Sequence, residues 1–135
     1  MPSYWILKTE PSAYSHGQLM RDRTTTWDGV KNPLALKHLR TMQPGDEVLI
    51  YHTGDEKRCV GRARVRSPSY PDPKRKDPKL AVVDLDAGAA LARPVTLAEI
   101  KADPSFGSLP LVRMPRLSVV PVTPAQWKRL LELAK

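Results

Sequence analysis

Four short segments concentrate the polar and aromatic side chains that can bind or react: Trp5-Ile6-Leu7-Lys8-Thr9-Glu10-Pro11, Trp27-Asp28-Gly29-Val30-Lys31-Asn32, Tyr51-His52-Thr53 and Arg116-Leu117-Ser118-Val119-Val120-Pro121-Val122. Asp28-Gly29 follows Trp27 at once in a turn-like, polar setting. That reads as the wall of a site rather than as core, and a glycine there lets backbone amides approach a ligand closely. Asn32 precedes Pro33 as a helix N-cap; such a residue can also stand at a pocket rim, where the helix N-terminus favours anions. His52, at a strand end, is open between a structural hydrogen bond and a ligand contact. Glu10 is open between a solvated strand end and a site shared with Lys8 and Thr9. Trp5, inside an alternating strand, and Trp127, on an apolar helical stripe, read as core, while His16 and His38 read as helix-surface residues.

Catalytic chemistry has two weaker footholds. Lys8 beside Thr9 can activate a nucleophile if burial lowers the lysine pKa. A strand sends adjacent side chains to opposite faces, however, so Lys8, Thr9 and Glu10 converge only if the chain twists at its end. Cys59 with His52 as a thiol pair lacks a third group to orient the histidine, and Cys59 falls on the apolar face of its strand. No paired cysteine or histidine spacing marks a metal site, and no cofactor is expected.

The elements that must position these residues are short. Tyr4 to Lys8 alternates as a strand and stops at Glu10-Pro11. Ser15 and Gln18 have the capping-box pattern, predicting a helix from His16 to about Arg21. Asn32-Pro33 opens a second helix to Met42. Glu47 to His52 is a strand, and Cys59 to Ser67 alternates strictly, with Cys59, Gly61, Ala63 and Val65 on one face and Arg62, Arg64 and Arg66 on the other. The run from Pro71 to Lys79 is too rich in proline and charge to be regular. Leu80 to Leu85 resumes a strand, with a turn or bulge at Asp86-Ala87-Gly88. Thr96 and Glu99 form a further capping box for a helix to about Ala102, Leu117 to Val120 is the last strand, and Thr123-Pro124 opens a closing helix carrying Trp127, Leu130, Leu131 and Ala134. Short strands interleaved with short helices predict a compact mixed barrel rather than a βαβ array.

The chain has 135 residues, 41% of them hydrophobic, with one cysteine and no apolar run of membrane-spanning length. One soluble domain over residues 1–135 is expected, monomeric and cytoplasmic, since the N-terminus shows no secretory signal. Lysine and arginine total 22 against 14 acids, a net charge of +8. That excess should attract phosphate backbones, and the clustering of Arg62, Arg64, Arg66, Lys74, Arg75 and Lys76 reads as a phosphate track rather than a merely solvated face.

In order and spacing the four segments, together with Tyr70-Pro71-Asp72 and the Thr96 helix start, resemble the motif series of the EVE domain family, over nearly the whole chain. The resemblance implies an α+β fold, a PUA-like pseudo-barrel of about five or six mixed strands surrounded by short helices. Its kin, including YTH domains, hold a modified base in an aromatic and polar pocket. By that likeness Trp27 is the stacking wall, and the base pocket takes in Lys8, Thr9, Glu10, Asp28, Val30, Asn32, Tyr51, His52 and Ser118. A flipped base offers π faces, which stack on aromatic rings for roughly 1–3 kcal/mol, and an edge that needs fixed donors and acceptors. The implied partner is DNA or RNA. Many members carry serine at the positions of Thr9 and Thr53, so the added methyl groups are expected to narrow this pocket. Two other functions remain open: hydrolysis of acylated nucleobases by a polar triad at Lys8, Thr9 and Glu10, as in some ASCH domains, and RNA binding through phosphates alone. A concavity beside Trp27, walled by a second aromatic and bearing Lys8 or Asn32, favours the base pocket; a smooth basic surface over a buried Trp27 favours plain RNA binding.

Overall fold

The computed structural model describes residues 2–135. Its strands are β1 (Tyr4–Thr9), β2 (Thr24–Trp27), β3 (Glu47–His52), β4 (Arg58–Val65), β5 (Tyr70–Pro71), β6 (Ala81–Thr96) and β7 (Val119–Val122). The helices are α1 (His16–Asp22), α2 (Pro33–Thr41), α3 (Leu97–Ala102), α4 (Pro110–Arg113) and α5 (Pro124–Leu133), with a 3-10 turn at Pro104–Phe106. The sheet runs β2-β6-β4-β3-β1-β7, with β5 paired to β6. It is mixed and open, and its seven strands exceed the five or six expected. β1 and β3 pair in parallel, Tyr4 with Glu47 through Thr9 with His52, and every other pairing is antiparallel. A parallel pair needs a crossover, which α1, β2 and α2 supply.

Pleating divides the apolar side chains between two cores. Trp5, Leu7, Ile50, Val65 and Leu85 pack with Leu19 of α1 and Leu36 and Leu39 of α2. Ile6, Leu49, Cys59 and Val120 pack on the other face with Ile100, Phe106, Trp127 and Leu130. Ile6, Leu7, Leu39, Leu49 and Leu130 are fully buried, each stabilising the fold by about 1.5–3 kcal/mol. Trp5 belongs to the core and donates its indole N–H to Asp46 at 3.0 Å.

Local signals account for the helix starts. Capping boxes form at Ser15 with Gln18, Thr96 with Glu99 and Thr123 with Gln126. Asn32 accepts from the N–H groups of Leu34 and Ala35 ahead of α2. Of the turn or bulge expected at Asp86-Ala87-Gly88 the structure has the bulge: β6 runs on through it to Thr96, and register shifts against β4 on either side of Gly61 absorb the extra residues. Other expectations need correction. β2 and α4 were not anticipated. The last strand lies at Val119–Val122, because Pro121 donates nothing yet is tolerated where β7 closes the sheet edge. His16 is no surface residue: it is 3% exposed, and its ring fills the space over Gly61, where a Cβ would stand 2.1 Å from Cε1. Among the described residues no helix is long and apolar enough to cross a membrane.

Candidate functional site

A concavity of about 720 Å³ opens where the end of β1, β2, the turn after it, β5 with its following loop, and the approach to β7 meet, within the size range of small-ligand sites. It brings together Lys8, Thr9, Trp27, Asp28, Val30 and Ser118 of the expected site, and Lys74 of the expected phosphate track. Gly29 shapes the turn with φ of +80°, a left-handed conformation that side chains disfavour. Trp27 is 8% exposed and also belongs to the core beneath α1 and α2. The wall is therefore more deeply set than a surface stacking platform. Tyr14 meets it edge-on, ring centroids 6.3 Å apart at 79°.

Hydrogen bonds hold the polar lining. Thr9 donates to the Tyr14 carbonyl at 2.7 Å, and Tyr14 donates to Asp22 at 2.8 Å. Thr26 and Tyr70 both donate to Oδ1 of Asp84, at 2.9 and 2.6 Å. Lys8 donates to the Pro115 carbonyl at 2.8 Å and lies 5.7 Å from the Tyr51 ring centroid, within cation–π range. Burial pushes the Lys8 ammonium below the usual lysine pKa.

Glu10, Asn32, Tyr51 and His52 lie outside this lining. Glu10 turns to Ser12 and Thr53. Asn32 caps α2 and borders a separate, smaller hollow with Leu34 and Met114. Tyr51 is 4% exposed in the second core, where burial pushes its phenol up to about 12. His52 is structural: Nε2 accepts from the backbone N–H of His16 at 3.0 Å, so Nδ1 carries the proton and donates to Glu56 at 3.0 Å. Thr53 donates to the Thr9 carbonyl from behind the pocket, so only the methyl of Thr9 can narrow it.

The basic cluster splits. Ala63 and Val65 face the core that holds Trp27, so Arg62 and Arg64 project from the opposite face of β4. Arg62 pairs with Glu47 at 2.6 Å and Arg66 with Asp86 at 2.9 Å. Lys74, Arg75 and Lys76 are exposed on the loop after β5, and Lys74 lines the pocket.

Tyr14, Thr25, Thr26, Lys31, Tyr70 and Asp72 also line the pocket and were not proposed for it. Thr24-Thr25-Thr26-Trp27 carries a β signal in its three β-branched residues, and Tyr70-Pro71-Asp72 stood out as a motif without an assigned role. Cys59 is fully buried and its thiol is pushed up to about 12, which makes it inert. Among the described residues no cluster of histidine, cysteine and carboxylate side chains could hold a metal ion.

An open mixed sheet with helices on both faces and a pocket across its strand ends defines a PUA-like α+β module; the ASCH protein of Zymomonas mobilis shares the fold with a TM-score of 0.64 at 11% identity. Within that class the chain belongs to the EVE domain family, whose model matches residues 3–133. Rpa0253 from Rhodopseudomonas palustris is 37% identical, with a TM-score of 0.92 covering 98% of this chain and 92% of that one. Human THYN1, solved in complex with 5-methylcytosine-containing DNA, is 29% identical, with a TM-score of 0.89 covering 98% of both chains. Thymocyte nuclear protein 1 of Rattus norvegicus is 29% identical over 98% of this chain and 74% of its own length.

Proposed function

We propose that this protein is a non-catalytic nucleic-acid-binding module that holds a single base, modified bases included, in the pocket beside Trp27. The observation that carries the reading is the pocket itself: a concavity walled by Trp27, Tyr14 and Tyr70 and bearing Lys8. Its aromatic lining suits a base lifted from its stack, at a cost of a few kcal/mol that is least in single strands. Lys31 and Lys74 at the lining, with Arg75 and Lys76 beyond, supply cations for the flanking phosphates. The solved THYN1 complex with 5-methylcytosine DNA supports a DNA partner, and the reading extends to RNA and to the cytoplasm.

Hydrolysis of acylated bases is disfavoured by geometry. Thr9 spends its proton on a carbonyl, Lys8 bonds to Pro115, and Glu10 faces Thr53, so the three do not converge. Plain phosphate binding draws on the burial of Trp27 but leaves the concavity without a use.

The test is a titration with single-stranded oligonucleotides, DNA and RNA, identical except for one central position: cytosine, 5-methylcytosine, 5-hydroxymethylcytosine, adenine, N6-methyladenine or an abasic site. At least one base should bind several-fold more tightly than the abasic control. Equal affinity across the panel would remove the base from the account.

A further inference from the structure

Three hydroxyl protons of the pocket already have destinations. Thr9 donates to the Tyr14 carbonyl, and Thr26 and Tyr70 donate to Asp84. A hydroxyl has one proton and two lone pairs, so these three turn only acceptor capacity toward an incoming ligand. Asp72 adds a charged acceptor. It lines the same pocket, is 7% exposed, and its Oδ1 accepts from the backbone N–H of Lys74 at 2.9 Å. Oδ2 has no hydrogen-bond partner among the described residues, yet no fully buried side-chain oxygen or nitrogen there lacks one. Oδ2 is therefore not fully buried, and Asp72 belongs to the lining of the concavity.

We infer that Asp72 is a specificity-determining acceptor: with Thr26 and Tyr70 it reads an exocyclic amino group, admitting cytosine- and adenine-type bases and rejecting thymine- and uracil-type bases. The inference rests on the pocket being a base site. Cytosine offers a donor at its N4 amino group, which carboxylates accept, where thymine places the O4 acceptor. An oxygen facing Asp72 meets lone pairs with no proton between them, and a desolvated acceptor left unpaired is costly. Asp28, the other acid of the lining, is exposed, so water satisfies it and it discriminates little.

The pair 5-methylcytosine and thymine isolates the amino group, because both carry the 5-methyl. Each is placed at the centre of an otherwise identical single strand, and affinity is expressed relative to the abasic strand. The wild-type protein should prefer 5-methylcytosine by about tenfold, the scale of one well-made base contact. In Asp72→Asn the amide oxygen keeps the Lys74 N–H, which puts the NH₂ donor where Oδ2 stood. The preference should then collapse or invert. Equal wild-type binding of the two bases, or an undiminished preference in Asp72→Asn with a native melt, overturns the inference while leaving the pocket in place. If no base exceeds the abasic strand, the base-pocket reading itself fails. The wild-type ratio needs no variant, so a poorly folded Asp72→Asn does not remove the test.

Discussion

Trp27 and Trp127 are buried almost equally, at 8% and 4% exposed, yet their surroundings differ in kind. Trp127 stacks on Tyr4, ring centroids 4.9 Å apart at 23°, and packs in the core with Ile100, Phe106 and Leu130. Trp27 has an apolar core on one side and a concavity on the other, with threonines, lysines and aspartates around the opening. Burial does not separate the two residues. What separates them is the company on the uncovered side: α1 and α2 leave the end of their face open where β2 and the loop after β5 meet.

The largest effects should come from breaking both tryptophans. Trp127→Ala is expected to destabilise the fold by about 3–5 kcal/mol and to affect binding only through unfolding. Because Trp27 is also a core residue, Trp27→Ala should cost stability in the same range, more than a surface wall would. Titration well below both melting temperatures tells them apart: Trp27→Ala should lose a further ~1–3 kcal/mol of binding, and Trp127→Ala none.

A smaller contrast concerns charge. With Lys31, Lys74, Arg75 and Lys76 as the phosphate contacts, log affinity should fall against log salt with a slope of about −4 for duplex and about −3 for a single strand. Lys74→Ala should flatten the slope by about 1, whereas Arg62→Ala, whose guanidinium is paired with Glu47 away from the pocket, should leave it unchanged. If Arg62→Ala flattens the slope as much, the track runs along β4 instead.

The smallest effect is acid sensitivity, carried by carboxylates away from the pocket. Glu56 is held below the usual range chiefly by the hydrogen bond from His52, Glu99 by Arg93 and Asp103 by Arg129. A depressed folded-state pKa adds stability above the unfolded value, near 4, and that stability is lost as pH falls through the folded value. Thermal melts should decline most steeply below about pH 4, after a slight loss below about pH 6.5, where His38, its pKa lowered by burial, resists the protonation that the unfolded chain accepts. Asp103→Asn should shallow that decline, though only slightly, since these pairs are screened by solvent.

Much of the frame was legible because it rests on local chemistry. Ser15 with Gln18, Thr96 with Glu99 and Thr123 with Gln126 each declare a helix start within four residues, and the alternation of Ala63 and Val65 declares a buried face of β4, although Cys59, expected on that face, lies beyond a register shift and packs in the opposite core. The extent of β6 was hidden, because Asp86-Ala87-Gly88 suits a turn as well as a bulge and only pairing with β4 decides for the bulge. His16 follows a capping serine and reads as solvated; its burial depends on Gly61, distant in sequence, offering no side chain. The pocket was half legible for the same reason. Lys8, Thr9, Trp27 and Ser118 sit in recognisable motifs, but that Tyr14, Tyr70 and Asp72 join them is decided by long-range packing. Tyr51 and His52 were drawn in by their place in the family's motif series, and the β1–β3 register does set them beside Lys8 and Thr9, but their side chains serve the second core and the α1 start.

The most direct test uses the three indole N–H resonances, from Trp5, Trp27 and Trp127, as reporters in one titration with a single strand carrying a central 5-methylcytosine. Assignment follows from the disappearance of one signal in each Trp→Phe variant. A base in the pocket should shift the Trp27 signal saturably, while Trp127, closed in the opposite core, and Trp5, bonded to Asp46, hold still. Binding that leaves the Trp27 resonance unmoved would place the base elsewhere and contradict the account.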